Sequence, residues 1–551
     1  MENWLSTEPW FTTSPRVGLA PDHYFFLTAI GFVSALSFEP APRSSGRALE
    51  GAPTRGERLK RFLNFIITTG LLPQLLAINL SCVIITAGRL YISGKGLGIQ
   101  IQPPLLFRLA LTPYAWMRLE ADFGIMSDTI LLGNRISWGE TETPFGINPE
   151  DSRRHVYIVG KTGAGKTTLL HNFLIQHIEA GHGVGLIDPH GDLAHDLLDY
   201  IPSQRTRDVV YLNPADLEYP VGINLFTEIP YHRRHQTASG IVSSFKSIWR
   251  DSWGPRLEYI LYNSVAALLD CKDTTILGIP RLLTDSSYRK WVVGQVRDPF
   301  VKAFWIHEYE NYEQRFMREA IAPIQNKIGQ FLTTPAIRNI LGQVRNKIDF
   351  RFLIDNDRIF IANLAKGSLG EEKANLMGSL LVTQIQLAAM SRTDIPEEQR
   401  KDFFLVIDEF QSLTTDSFVS ILSEARKYRL SLVLSHQYLD QIQPEVLRAV
   451  LGNIGTIVSF SVGSNDAEVL AKELGESFAA QQFTDLKRYE IIVKLLEDGT
   501  HLEPFRAKTF PEMGIPEYRR DILVDHSRSR YAVKREIIED KIARWMNSTS
   551  A

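Results

Sequence analysis

The stretch VYIVGKTGAGKTTLL, residues 156–170, passes from an apolar strand pattern into a helical one across a glycine-rich turn. Gly160 to Thr167 fits the phosphate-binding loop G-x-x-x-x-G-K-[ST], and it stands after a strand and before a helix, where such a loop works. Glycines let backbone N–H groups curl round phosphate oxygens, and the helix N-terminus adds a favourable dipole. Gly160, Thr162, Gly163, Ala164, Gly165 and Thr168 are expected to line a nucleotide, with Lys166 on its β- and γ-phosphates and the Thr167 hydroxyl on Mg²⁺. ATP and Mg²⁺ are the expected cofactors.

Outward from this loop, the apolar runs VYIVG, VGLIDP and VVYLN are interleaved with the helical pattern LLHNFLIQHIEAG, the order that builds a parallel sheet. From about residue 228 to 345 the texture turns helical, as in PRLEYILYNSVAALLD and EAIAPIQNKIGQFL. Strand-like runs then return with RIFIANL, FFLVIDEF, LSLVLSHQ and TIVSFSVG. The expected fold is α/β: a RecA-like P-loop NTPase core with a parallel sheet, interrupted by an all-α insertion. The expected divisions are an N-terminal segment with a Pro-, Gly- and Arg-rich linker (1–61), an apolar segment and N-terminal region (62–145) and the first half of the core (146–227). The all-α insertion (228–345), the second half of the core (346–525) and a charged amphipathic C-terminal helix (526–551) follow.

Downstream of the insertion, FFLVIDE at 403–409 is an apolar strand ending in two carboxylates. Asp408 fits a Walker B acid that holds Mg²⁺ directly or through water, and Glu409 fits the base that polarises an attacking water. An adjacent glutamate and a helical domain between the two motifs favour a motor-type ATPase over a small P-loop kinase or GTPase. The next strand ends as LVLSHQ, where Gln437 either contacts the γ-phosphate and the water or serves as a plain loop residue. Arg426, on the helical stretch between those strands, is either a solvated residue or a finger reaching a neighbouring subunit's nucleotide. Asp188, in the tip LIDPHGD, sits at the C-terminal edge of a parallel strand, where such sheets bind ligands, although a turn-forming Asp-Pro accounts for it equally well.

Composition bounds the rest. The 551 residues are 44% hydrophobic and 22% charged with a net charge of -3, a globular chain without the basic excess of a protein that coats nucleic acid. Any nucleic-acid contact has to be local, and Arg233, Arg234, Arg318 and Lys327 of the insertion are candidates that ordinary solvated helix faces explain as well. Two cysteines, Cys82 and Cys271, match no metal or redox spacing and fit a reducing compartment. Residues 62–88 carry no charge over 27 positions, longer than the roughly 20 a spanning helix needs. Polar residues and a proline interrupt the run, and the basic cluster from Arg43 to Arg61 precedes it, which by the positive-inside rule puts the nucleotide site outside the cell. An apolar helix packed in a domain or lying on a membrane surface is therefore favoured over a true span.

IDPHGDL after the P-loop, FLVIDEFQSL, ARKYRL and LSHQYLDQI, in that order, resemble the FtsK/HerA superfamily of DNA-pumping ATPases over roughly residues 145–530. Within it they look most like the coupling proteins of conjugative DNA transfer and type IV secretion. The resemblance implies DNA as partner, a homohexameric ring with DNA in its channel, and secretion or relaxosome proteins at its surface. It also implies catalytic roles for Lys166, Glu409, Gln437 and Arg426, the last as the arginine that reaches the adjacent protomer. The cytoplasm, either free or against the inner face of the cell membrane, is the expected location. A soluble HerA-type DNA helicase of repair and a motor that moves protein substrates in secretion or pilus assembly are the alternatives.

Overall fold

Short apolar runs of Val, Ile, Leu and Phe can sit in a sheet only if both faces are covered, and the strands of this chain do so by alternation. In Phe403–Ile407, residues 403, 405 and 407 pack into one hydrophobic core while Phe404 and Val406 pack into a second. The computed structural model describes residues 129–548 except 137–141, 228 and 416–417. Its first core lies between the sheet and the helices of the 234–390 region, and its second lies between the sheet and the helix that follows the phosphate loop.

The strands are β1 (Ile130–Ile136), β2 (Glu142–Ile147), β3 (Val156–Val159), β4 (Gly183–Asp188), β5 (Val209–Leu212), β6 (Ile359–Asn363) and β7 (Phe403–Ile407). They continue with β8 (Leu430–His436), β9 (Thr456–Ser459), β10 (Glu490–Lys494), the short ribbon β11 (Leu496–Glu497) and β12 (Thr500–His501), and β13 (Phe505–Thr509). One eleven-stranded sheet has the order β2-β1-β13-β10-β9-β3-β8-β7-β4-β6-β5. From β9 to β5 every pairing is parallel. From β9 through β10, β13 and β1 to β2 every pairing is antiparallel. The sheet is therefore mixed, with a parallel core as expected and an antiparallel wing that the sequence reading omitted.

Between β5 and β6 the described segment is helical, including α1 (Arg234–Ile248), α2 (Pro255–Asp270) and α3 (Gln314–Thr333). After β6 comes α4 (Glu371–Met390), which packs on α1 through a buried hydrogen bond between Ser244 and Thr383 hydroxyls at 3.1 Å. Gly240 of α1 faces that contact, where an added Cβ would lie 2.7 Å from the Thr383 methyl, so only glycine allows the two helices this approach. Cys271 is buried and free.

Two expected boundaries fall inside elements. Position 146 cuts β2, because the sheet begins at Ile130. Position 526 cuts a helix, because the C-terminal region is two helices, α5 (Arg520–Tyr531) and α6 (Arg535–Asn547), separated by an extended Ala532 that bridges to Val221. α6 is fastened to the helical region rather than standing apart. The Arg281 guanidinium donates to the Trp545 carbonyl at 2.9 Å and stacks over the Trp545 ring, and Asn339 donates to Glu539 at 3.1 Å. No helix among the described residues is long and apolar enough to cross a membrane. Residues 62–88, Cys82 and the divisions 1–61 and most of 62–145 lie outside the described residues.

Candidate functional site

Four neighbouring parallel strands, β3, β8, β7 and β4, end side by side at one edge of the sheet. Their C-terminal tips carry the phosphate loop, Gln437, Asp408 with Glu409, and Asp188, which is how motifs far apart in sequence meet in one crevice. The loop from Gly160 to Gly165 leads into the helix Lys166–Glu179, with Gly163 at φ 77° and Gly165 at φ 124°. Gly165 is fixed by sterics as well as by its backbone angle, since a Cβ there would approach the Tyr489 ring to 2.8 Å and the Phe460 ring to 3.0 Å.

Lys166 is buried, and its Nζ donates back to the carbonyls of Gly160 at 2.5 Å and Lys161 at 3.2 Å. Those carbonyls occupy the ammonium where phosphate oxygens would otherwise satisfy it. Burial lowers the Lys166 pKa, opposed by the charges of Asp408 and Glu409. Thr167 is exposed at the mouth of the site, and Thr168 is half-buried behind it.

Asp408 is buried, and its pKa is raised to about 6 by desolvation first and then by the negative charges of Glu409 and Asp188. Three carboxylates thus converge with Lys166 as the cation set against them, a deficit of positive charge that a divalent ion would fill. Among the described residues no cluster of three His, Cys, Asp or Glu side chains is arranged to hold a metal ion by itself. An ion here would be one shared with nucleotide phosphates, the usual habit of Mg²⁺.

Asp188 serves the turn that follows it. Its Oδ1 accepts from the His190 N–H at 2.9 Å and its Oδ2 from the Ala194 N–H at 2.9 Å, so it acts on the site through charge while its oxygens anchor the chain.

Glu409 stands in the left-handed region at φ 47° and is buried. Its Oε1 accepts from Gln437 Nε2 at 2.6 Å and its Oε2 from Gln411 Nε2 at 2.7 Å. Thr162 of the phosphate loop donates its hydroxyl to Gln437 Oε1 at 2.9 Å, and Gln411 also donates to Gln441 Oε1 at 3.1 Å. One polar chain therefore runs from the loop through the glutamine and the glutamate to Gln441.

Arg426 does not join this cluster. It is exposed on the turn Ala425–Tyr428, just before β8 begins, and its charge bears on His155, just before β3 begins. That is the opposite edge of the same sheet, about 20 Å from the β8 tip at roughly 3.3 Å per strand residue. The insertion's basic residues are partly engaged: Arg234 pairs with Asp270, Arg233 donates to the Ser391 carbonyl at 3.1 Å, Lys327 donates to the Ser252 hydroxyl at 2.7 Å, and Arg318 is exposed.

Sequence reasoning missed Gln411, Gln441, Phe460, Tyr489 and the buried pair of the Tyr157 hydroxyl with His436 Nε2. Gln411 had a faint signal, a polar residue two places beyond Glu409. Phe460 and Tyr489 had none, because only the folded loop brings them to Gly165.

The sequence model of the family described as "Type IV secretion-system coupling protein DNA-binding domain" matches residues 142–484. The chain belongs to this family. It is a coupling-protein-type P-loop ATPase of the FtsK/HerA superfamily, the motor class of conjugation and type IV secretion, and the matched region is the family's DNA-binding domain. Solved structures agree on the fold. The bacterial conjugative coupling protein TrwBdeltaN70 is 14% identical with a TM-score of 0.50, covering 70% of this chain and 90% of that one. The plasmid coupling protein TrwB in complex with ADP and Mg²⁺ is 15% identical with a TM-score of 0.50, covering 71% of this chain and 97% of that one. The same protein with a non-hydrolysable ATP analogue gives the same figures. No curated protein matches the sequence significantly.

Proposed function

We propose that this coupling protein binds ATP with Mg²⁺ at the phosphate loop and couples its hydrolysis to moving DNA through a ring of identical subunits. The observation that carries the reading is the convergence of Lys166, Asp408, Glu409 and Gln437 at one edge of the sheet, with Arg426 at the other. Lys166 would exchange the Gly160 and Lys161 carbonyls for phosphate oxygens, and Thr167 and Asp408 would hold the ion. A bound Mg²⁺ supplies charge neutralisation of the phosphates and relieves the crowding of Asp408, Glu409 and Asp188. Glu409 takes the proton side of the water attack, and Gln437, tied to Thr162 at one end and Glu409 at the other, links occupancy of the loop to the base.

Arg426 is too far from the tip of its own β8 to reach a phosphate there, so any role in stabilising transition-state charge has to be played on another subunit. This favours a ring, six-membered by resemblance to the superfamily. Secretion or relaxosome proteins would be its further partners, and the inner face of the cell membrane its place of work.

Steady-state ATP hydrolysis by the purified protein, with and without DNA, tests the reading beside a Lys166→Ala control. The expected result is a rate that DNA raises and the substitution abolishes. Hydrolysis lost in the control yet indifferent to single- and double-stranded DNA would transfer the motor role to a protein cargo.

A further inference from the structure

The two oxygens of Glu409 are held by different parts of the chain, and the difference assigns them different tasks. Gln437, which holds Oε1, stands at the tip of β8 and is itself held by Thr162 of the phosphate loop. Gln411, which holds Oε2, stands on the one-turn helix Phe410–Leu413 directly after the Walker B strand, and its other bond goes to Gln441, in the turn Leu439–Gln441 that follows β8. Of the two glutamines that hold Glu409, only Gln437 hydrogen-bonds to the phosphate loop.

The side chain of Gln411 is engaged only through its amide N–H₂. Both acceptors, Glu409 Oε2 and Gln441 Oε1, converge on Nε2, while its own Oε1 is buried without a hydrogen-bond partner. A buried amide oxygen left unpaired is unfavourable, and apolar packing would serve a merely structural position better.

We infer that Gln411 is a positioning residue for Glu409: it grips Oε2 throughout the cycle so that Oε1, once released by Gln437, is the oxygen presented to the attacking water. In that step Glu409 Oε1 accepts the water's proton as the water oxygen bonds to the terminal phosphorus and the bond to the leaving nucleoside diphosphate breaks. Gln411 takes no proton and touches no substrate. Gln441 acts behind it, as the acceptor that keeps the Gln411 N–H₂ turned toward the carboxylate.

The inference rests on the proposal that Glu409 is the base, and the test separates the two. Gln411→Met keeps the side-chain volume and removes the donor. It is compared with Gln411→Ala, Glu409→Gln and the double substitution Gln411→Met/Glu409→Gln, with nucleotide affinity measured by a fluorescent ATP analogue and folding by thermal denaturation. The expected result is a fall in kcat of roughly tenfold for Gln411→Met, with KM and nucleotide affinity within twofold of the parent. The double substitution should be no slower than Glu409→Gln alone, since Gln411 acts only through that carboxylate. Gln411→Met with parental kcat, or an additive loss in the double substitution, would overturn the positioning role. Glu409→Gln with undiminished kcat would remove Glu409 as base and the inference with it.

Discussion

Asp408 shows how one side chain registers the state of the whole site. Burial, Glu409 and Asp188 raise its pKa to about 6, so the folded protein holds that proton more tightly than an unfolded chain whose aspartates titrate near 3.9. A raised pKa contributes stability below about pH 4 and loses it as pH rises through about 6. The nucleotide-free protein should therefore gain stability from Asp408→Asn at pH 7.5, by about 3 kcal/mol at most, with the gain shrinking toward pH 4.5. Chemical denaturation at the two pH values checks this, and the same variant should lose Mg²⁺-dependent hydrolysis. At this scale the sequence was informative where a motif is local in the chain. Lys166 and the glycines fall within eight consecutive positions, and Asp408 and Glu409 end one apolar run. Gln411 was not legible as a holder of Glu409, because its part is defined by the direction of a side chain beyond the strand rather than by spacing.

The elements divide the same way. Runs such as FFLVI and LVL are apolar throughout because helices cover both faces of the parallel strands, and that continuity made them visible. The antiparallel wing was not visible. ETPFGI in β2 holds a proline and a glycine, and β13 alternates buried and exposed positions in a run of only five residues, Phe505–Thr509, too short to separate from a loop. The helix α4 illustrates what holds the core together at its far edge. Just past its end, Arg392 has a fully buried side chain that donates to the Tyr428 carbonyl at 2.7 Å and the Lys401 carbonyl at 2.8 Å and pairs with Asp355 at 2.9 Å. One guanidinium thus ties α4 to the starts of β7 and β8. Arg392→Ala should cost about 3 kcal/mol, since it strands two carbonyls and weakens a buried pair, and a denaturant titration reads that loss directly. Nucleotide affinity of the variant should be unchanged, because the anchor lies at the edge opposite the phosphate loop.

For the molecule as a whole, the decisive geometry is that Arg426 and Lys166 occupy opposite edges of one sheet. In a ring each subunit would complete its neighbour's site, which predicts complementation. Arg426→Ala and Lys166→Ala should each be nearly inactive alone, and mixing them should restore a fraction of parental ATP hydrolysis, since the Lys166→Ala subunit still offers Arg426 to an intact phosphate loop. A mixture no more active than its parts would place the arginine's action within one chain or outside catalysis. The sequence exposed the superfamily through the order of its motifs, but it could not show that these two residues are kept apart, because that depends on strand direction in the folded sheet.

Hydrolysis that moves DNA must do mechanical work along the strand. The most direct measurement is displacement of streptavidin from the biotinylated end of single- and double-stranded DNA, in the presence of ATP and free biotin, by the parent protein and by Lys166→Ala. Displacement should need ATP, continue over many turnovers and vanish with the substitution. DNA-stimulated hydrolysis without displacement from either end of either DNA would contradict it.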